Sequence, residues 1–395
     1  MAVDPRGQGG PVTVTTHGTD EAALRAAVRD VSTGHPAEYW RGLEPDRYPD
    51  AFVKAMTAAG LLAVLIPTEY GGSGLDLEQA AVILEEVNAA GGNASACHAQ
   101  MYTMGTLLRH GSAAQKRRWL PELARGEVRL QAFGVTEREA GSDTTRIATR
   151  AERRGDGWLI NGHKAWTSRA LHSDLLLLLA RTAPYDPDRR GEGLSLFLLD
   201  LRGLDGVTIR PTQAMVNHST SEVLFEDVEV AGDTLVGEEG KGFRHVLDGM
   251  NAERILIAAE CVGDGRWFVE TGARYASERS VFGRPIGANQ GVQFPLARAY
   301  AAVRAADLMR REAARRFDAG EPAGAEANMA KLLASEASWQ AANACLDAHG
   351  GYGFLREFDV ERKFRETRVY QTAPVNNNLV LAYLGQNVLG MPRSY

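Results

Sequence analysis

The chain has 395 residues, 44% of them apolar and 24% charged, a balance that belongs to a globular protein and excludes a disordered one. That length exceeds what one hydrophobic core accommodates, so two or three packed subdomains are expected. The 44 basic and 50 acidic side chains give a net charge of −6, which leaves no basic excess to neutralise a nucleic-acid backbone. The longest purely aliphatic run, residues 175–179, is far too short to span a membrane.

Residues 1–19 are rich in Gly, Thr and Pro without apolar periodicity and read as a loose arm. They lack a cationic start followed by an apolar stretch, so no secretory signal is expected. From 20 to 129 the text is helical, with apolar residues at three- and four-residue steps such as Ala80, Ile83, Leu84 and Val87. Turn-like breaks fall at 67–74, 110–112 and Gly126. Residues 130–240 hold the strand-like text, at 146–152, 157–160, 175–181, 194–199 and 223–225, with Gly155-Asp156-Gly157 as a hairpin signal. Residues 241–395 are helical again, over 242–277, 290–318, 324–348 and 376–389. The expected fold is α+β: an N-terminal helical domain, a middle β domain of barrel-like or sandwich type, and a C-terminal four-helix bundle. Cys97, Cys261 and Cys345 are odd in number and widely separated in helical text, which suits reduced thiols in a cytoplasmic protein.

Common chemical motifs are absent. GEEGKG at 237–242 lacks phosphate-loop spacing, and GGYG at 350–353 follows a helix rather than a strand. Cys97-His98 has no second pair at ligand spacing, so no metal is expected there; a buried cysteine beside a satisfied histidine is the plainer reading. The basic residues at 117–118 and within 310–316 read as solvated helix faces or subunit contacts.

Three stretches do suggest chemistry. FGVTEREAGSDT at 133–144 leaves a strand for a tight loop that presents backbone N–H groups and small hydroxyls. NGHKAWTS at 161–168 places Ser168 two residues after Trp166, hence on the same side of a strand. RSVFGRPI at 279–286 puts a cation and an aromatic beyond a long helix, and QGVQF at 290–294 opens the next helix, a setting suited to a phosphate pair. Singly, each also reads as an ordinary turn, a core tryptophan or a surface arginine.

Taken in order, the VTE…AGSD, NG-K-W-x-S and Arg-x-x-Phe-Gly boxes and the Gly-Gly-x-Gly turn resemble the acyl-CoA dehydrogenase family. PTEYGGSG at 67–74, QKRRWLPELARGE at 115–127 and LVGEEGKGF at 235–243 support the likeness, which covers nearly the whole chain from residue 21. The resemblance implies a homotetramer, a dimer of dimers, with non-covalent FAD, an acyl-CoA substrate and an electron-transfer flavoprotein as acceptor. It implies that Phe133, Val135, Thr136, Gly141 and Ser142 line the flavin and thioester, that Trp166 lies against the ring and that Ser168 bonds near its N5. By the same resemblance Arg279, Phe282 and Gln290 are expected to reach the pyrophosphate and adenine part of a neighbouring subunit's FAD, and Gly350 and Gly351 to pass close to the nucleotide. Asp347 stands where the family usually has Gln, and a carboxylate near a pyrophosphate is unfavourable unless it faces ribose hydroxyls. The resemblance places Asn376 and Asn378 as expected contacts to the adenine end. An oxidase of acyl-CoA or nitroalkane type, or a dehydrogenase whose thioester is carried by an acyl carrier protein, remains an alternative on the same scaffold.

The family's usual base is a Glu in the last block, here RETRVYQTAPVNNN at 365–378, where an ungapped match places Pro374. Proline has neither a titratable group nor an N–H, so the thioester oxygen also loses a donor there, to be replaced either by the N–H of Val375 or by another donor. The isovaleryl-CoA and long-chain branches instead use a Glu before an Arg on the first long C-terminal helix, here Glu253-Arg254. Val246, Met250 and Ile257 lie within about 60° of Glu253 on a helical wheel, so the acid sits in an apolar stripe. A structural Glu253–Arg254 pair is the competing reading. Met250 and Arg254 are expected beside the substrate with Ser142. Glu260, two turns on, is a second acid on the same face, for which the resemblance offers no role.

Overall fold

The computed structural model describes residues 20–393, so the arm expected over residues 1–19 lies outside the described residues. Six helices come first: α1 (Glu21–Thr33), α2 (Ala37–Gly42), α3 (Asp50–Ala58), α4 (Leu77–Ala89), α5 (Ser95–His110) and α6 (Ala113–Arg125). Their ends follow local chemistry. Asp76 and Ser112 cap α4 and α6, and Gln79 and Gln115 reach back to the capping N–H groups. Gly126 closes α6 in the left-handed conformation, at φ 70°.

Eight strands then form one sheet: β1 (Leu130–Gly134), β2 (Arg150–Arg154), β3 (Gly157–Ser168), β4 (Leu175–Arg181), β5 (Leu194–Asp200), β6 (Val207–Pro211), β7 (Thr220–Val230) and β8 (Leu235–Val236). The order is β6-β7-β3-β2-β4-β5-β8, with β1 parallel to β4. The Gly155–Gly157 signal does turn β2 into β3. β4 is leucine on both sides because both faces are covered: Leu175, Leu177 and Leu179 pack towards α5 and α6, while Leu176 and Leu178 pack against Phe197, Phe225 and Trp158. The strand expected at 146–152 starts only at Arg150, since residues 144–146 form a 3-10 turn. β6 and β8 carry no clear alternation and were not anticipated.

The last part holds α7 (Gly242–Glu278), a short hairpin of β9 (Ser280–Val281) and β10 (Arg284–Pro285), then α8 (Gln290–Asp318), α9 (Gly324–His349), α10 (Val360–Arg368) and α11 (Asn377–Tyr383). The helix expected over 376–389 stops at Tyr383 and continues as a π turn over Leu384–Val388. α10 was not anticipated, because VERKFRETR looks solvated. Its charges are instead buried in pairs: Arg362 with Asp359 and Glu366, and Lys363 with Asp264 of α7. Arg310 corrects the reading of 310–316 in the same way: it is fully buried and held by Asp307 and Glu78.

α7 is the axis of this part. It meets its neighbours at glycines: a Cβ on Gly263 would lie 2.2 Å from the Glu85 carbonyl of α4, one on Gly265 would lie 2.5 Å from Val303 of α8, and one on Gly272 would lie 2.8 Å from Leu296. A helix packed this closely has its register fixed, and with it the placement of every side chain on its faces. Gly263→Ala is therefore expected to cost about 1–3 kcal/mol in urea denaturation. Gly291→Ala, at an open position near the start of α8, should leave the midpoint nearly unchanged.

Candidate functional site

β3 is not a regular strand. Its pairing with β7 slips between Lys164 and Thr167, and Trp166 adopts φ 58°. A bulky residue occupies that region only when its surroundings compel it. The bulge turns Trp166 outward, 65% exposed between buried Ala165 and Thr167. Simple strand alternation, which would put Trp166 and Ser168 on one side, does not describe this bulged segment. The segment after β1 is clamped to this bulge. The N–H of Ala165 donates to the Thr136 carbonyl at 2.9 Å. The buried Lys164 ammonium donates to the Val135 carbonyl at 2.9 Å and to Glu137 at 2.8 Å. Burial pushes Lys164 down to about 8, with Glu137 opposing. Burial would raise the Glu137 carboxyl, but Lys164 and backbone N–H donation outweigh it and hold it low. Phe133, Val135, Thr136, Trp166 and Ser168 are thereby gathered at one end of the sheet. Gly141 and Ser142 lie on the exposed loop that follows, braced by Arg190 on Asp143 at 2.6 Å.

α7 brings its two acids to the same region. Glu253 and Glu260 are seven residues apart on one face, about 10 Å along the axis. Glu260 is fully buried, and both carboxylate oxygens are occupied, one by His98 Nδ1 and the other by the Tyr370 hydroxyl at 2.8 Å. Asn88 completes the network, donating to the Glu260 carbonyl at 3.1 Å and to the Tyr370 oxygen at 3.2 Å. Glu253, by contrast, forms no hydrogen bond or ion pair with any described residue. The competing pair with Arg254 does not form: Arg254 donates to Asn251 at 3.2 Å, and its Nε is buried without a partner among the described residues. Glu253 is enclosed by protein yet keeps part of its surface open. Burial pushes its carboxyl above the usual range, His98 and Arg254 pull it back, and Glu260 adds to the rise. Tyr102 links this acid to the sheet: its ring meets His98 edge-on at 5.3 Å and Phe133 at 5.9 Å, and the Glu253 charge helps to push its hydroxyl upward after burial. Cys97 is a buried free thiol as expected, but His98 is only half satisfied, because its Nε2 is buried with no partner among the described residues. Met250 packs partly buried beside Val246.

The loop around Pro374 is anchored by a residue the sequence did not flag. Lys331 of α9 donates to the Val375 carbonyl and to the Asn377 side chain, each at 2.7 Å. The Val375 N–H makes no hydrogen bond to a described residue. Asn376 uses its side-chain oxygen to cap α11, accepting from the Leu379 N–H at 3.0 Å, and Asn378 is exposed on the first turn.

A second cluster forms at the other end of α7. The β9–β10 turn is Phe282-Gly283, both at positive φ (52° and 78°), a two-residue hairpin that holds Phe282 fully out in solvent. Arg279 lies 5.4 Å from the Tyr352 ring, which joins the hairpin to the Gly350–Phe354 turn. Gly350 and Gly351 have nothing within 4 Å of a Cβ position. Asp347 and Gln290 are exposed beside them, on the last turn of α9 and the first of α8. Twenty-six residues of helix separate positions 253 and 279, about 39 Å. The two clusters are therefore separate places on one chain.

An exposed indole flanked by the hydroxyls of Thr136 and Ser168 suits a flat heteroaromatic ring with polar edges. An exposed arginine beside open glycine backbone suits a pyrophosphate. The residues present thus fit the two ends of FAD. Among the described residues no group of three or more His, Cys, Asp or Glu could hold a metal, and no helix is long and apolar enough to cross a membrane.

The chain matches, in order, the acyl-CoA dehydrogenase N-terminal domain over residues 18–127, the middle domain over 132–228 and the C-terminal domain over 240–385. It is 33% identical over 381 residues to acyl-CoA dehydrogenase fadE12 of Mycobacterium bovis, covering 95% of this chain and 97% of that one. It is similar to the structure of butyryl-CoA dehydrogenase from Megasphaera elsdenii, with a TM-score of 0.88 at 26% identity over 95% of this chain and 100% of that one. A glutaryl-coenzyme A dehydrogenase in complex with glutaryl-CoA is similar to the same degree, with a TM-score of 0.88 at 29% identity over 97% and 98% of the two chains.

The Lys164 clamp can be tested by Lys164→Met. Removing the cation leaves Glu137 buried with only backbone donors, and a loss of about 3 kcal/mol is expected from the unfolding midpoint.

Proposed function

The chain belongs to the acyl-CoA dehydrogenase family, and on that premise we propose that Glu253 is the base that removes the α proton of an acyl-CoA thioester on its way to the trans-2-enoyl product. The protein is an FAD-dependent oxidoreductase, and bound FAD supplies the acceptor that takes the β hydrogen together with its electron pair. The observation that carries the base assignment is the contrast on α7: Glu260 is consumed by His98 and Tyr370, whereas Glu253 has no hydrogen-bond or ion-pair partner among the described residues and stays partly exposed. Burial raises the proton affinity of Glu253, which suits a group that must receive a proton and hold it.

In this reading Phe133, Val135, Thr136, Trp166 and Ser168 hold the flavin ring, and Gly141, Ser142, Met250 and Arg254 border the thioester. The oxygen of that thioester gathers charge as the α proton leaves and needs donors. Pro374 cannot serve, and the unoccupied N–H of Val375, the next residue, takes that role, with its carbonyl fixed by Lys331. Arg279, Phe282, Gln290, Asp347, Gly350, Gly351, Asn376 and Asn378 serve the nucleotide half of a neighbouring subunit's FAD. The separation of about 39 Å along α7 supports that division, since one extended cofactor cannot satisfy both ends of one chain. The protruding Phe282 supports it too, being held out where only another molecule can cover it. A homotetramer of two dimers, a cytoplasmic location and an electron-transfer flavoprotein as acceptor complete the proposal, with a role in fatty-acid or branched-chain amino-acid breakdown.

Glu253→Gln should slow anaerobic bleaching of the flavin by an acyl-CoA about 10³-fold, within the range for loss of a general base; bleaching at the normal rate would remove the assignment. In the unmodified enzyme kcat/KM should climb with pH through an apparent pKa above the ordinary carboxylate range, because only deprotonated Glu253 accepts a proton. Arg279→Ala should purify with less flavin per chain, read from the ratio of absorbance at the flavin band to that of protein.

A further inference from the structure

α5 and α7 run antiparallel across the site, and three contacts set their register. His98 Nδ1 bonds Glu260, the Thr106 hydroxyl lies 3.4 Å from where a Cβ on Gly249 would stand, and the His110 and His245 rings stack at 4.2 Å. Tyr102 is midway between His98 and Thr106 and therefore faces the Glu253–Arg254 stretch of α7. The electrostatics agree, since the Glu253 charge acts on the Tyr102 hydroxyl.

At that level the space between the two helices ends. Tyr102 keeps part of its surface open between buried Met101 and Thr103, as Met250 and Glu253 do on α7 and Phe133, Val135 and Thr136 do around the end of β1. Towards Glu260 the same two helical faces are closed. Ala99, His98 and Ser95 lie three, four and seven residues before Tyr102, Leu256, Ile257 and Glu260 lie at the same steps after Glu253, and all six are buried. The open space thus extends less than one turn of α7, about 5.4 Å, past Glu253.

The closed end is also sealed sideways. Phe133, Tyr102 and His98 follow one another at ring-centroid separations of 5.9 and 5.3 Å. Rings at such separations are in contact, and no alkyl chain passes between them. Behind them Glu260, Tyr370 and Asn88 hold one another by hydrogen bonds. An alkyl terminus pushed among these groups would leave buried polar atoms unpaired, which is costly.

We propose that Tyr102 is the floor of the acyl site: its ring ends the space beside Glu253 and restricts the enzyme to short acyl groups, straight or branched. The reading of Glu253 as the base fixes where the acyl group starts, with the α carbon beside that carboxyl, and less than one helical turn then remains before the ring. Bulk does the limiting. The Tyr102 hydroxyl has no hydrogen bond to a described residue and holds nothing across the floor.

The test uses the FAD-loaded enzyme with butanoyl-CoA, 3-methylbutanoyl-CoA, octanoyl-CoA and dodecanoyl-CoA. One of the two short thioesters should exceed octanoyl-CoA by about tenfold or more in kcat/KM, the scale on which a fitted apolar pocket separates substrates. Tyr102→Ala and Tyr102→Leu should each move the short-to-octanoyl ratio about tenfold towards octanoyl-CoA, chiefly through KM. Tyr102→Phe, which keeps the ring, should keep the ratio whatever its rate. Binding is read separately by calorimetric titration of octanoyl-CoA into Glu253→Gln holoenzyme with and without Tyr102→Leu, where the added space should appear as a lower Kd. An unmodified enzyme that prefers octanoyl-CoA or dodecanoyl-CoA to both short thioesters would overturn the proposal. So would a ratio that neither Tyr102→Ala nor Tyr102→Leu moves, or one that Tyr102→Phe moves as far as they do. Should Tyr102→Ala fail to fold, Tyr102→Leu and the unmodified enzyme still decide. Normal bleaching by Glu253→Gln beside a ratio that Tyr102→Leu shifts sinks the base and spares the floor; a silent Glu253→Gln enzyme beside an unmoved ratio does the reverse.

Discussion

One face of α7 carries two carboxyls, and the surrounding chain gives both of its nearby donors to one of them. His98 and Tyr370 close around Glu260, far from solvent, while Glu253 is left enclosed but unpaired. An unpaired buried acid is costly, and folded chains keep one where it is used. Had His98 turned to Glu253 instead, the free acid would lie about 10 Å further along the axis of α7. The same bond thus makes one glutamate structural and leaves the other available.

That division needs α7 to be held without slack. Gly263, Gly265 and Gly272 let α4, α8 and α9 approach it to backbone distance, and the Lys363–Asp264 pair ties α10 to it. The facing wall is built by other means. A bulge in β3 exposes Trp166, and the Lys164–Glu137 pair clamps the segment of Val135 and Thr136 to it. Tyr102, between His98 and Phe133, is where the helical and sheet walls meet. Lys331 anchors the loop that carries the unoccupied N–H of Val375, through the Val375 carbonyl and the side-chain oxygen of Asn377.

The long helices were legible because alanine-rich text with glycine and proline breaks marks its own ends: 242–277 and 290–318 match α7 and α8 to within a residue. β4 was legible from its length and flanking residues. Charge misled where burial reversed its meaning, in Arg310 and across α10. The ordered boxes revealed the family and drew attention to the stretches around Trp166 and Arg279. They could not reveal the bulge that presents Trp166, since a positive φ at tryptophan follows from pairing with β7 and not from neighbouring residues. Nor could they show that His98 is half satisfied, since its partner lies 162 residues away in sequence. Lys331, which fixes the Val375 loop, carried no local signal and reads as one more lysine on a helix.

The central claim is that Glu253 itself takes the α proton, and it can be observed apart from any oxidation. An acyl-CoA analogue whose β position carries no removable hydrogen is held with the enzyme in D2O, and α exchange is followed by proton NMR. The unmodified enzyme should exchange the α hydrogen steadily, and Glu253→Gln should not exchange it above the rate in buffer. Exchange by Glu253→Gln at the unmodified rate would contradict the claim and place the base elsewhere in the cavity.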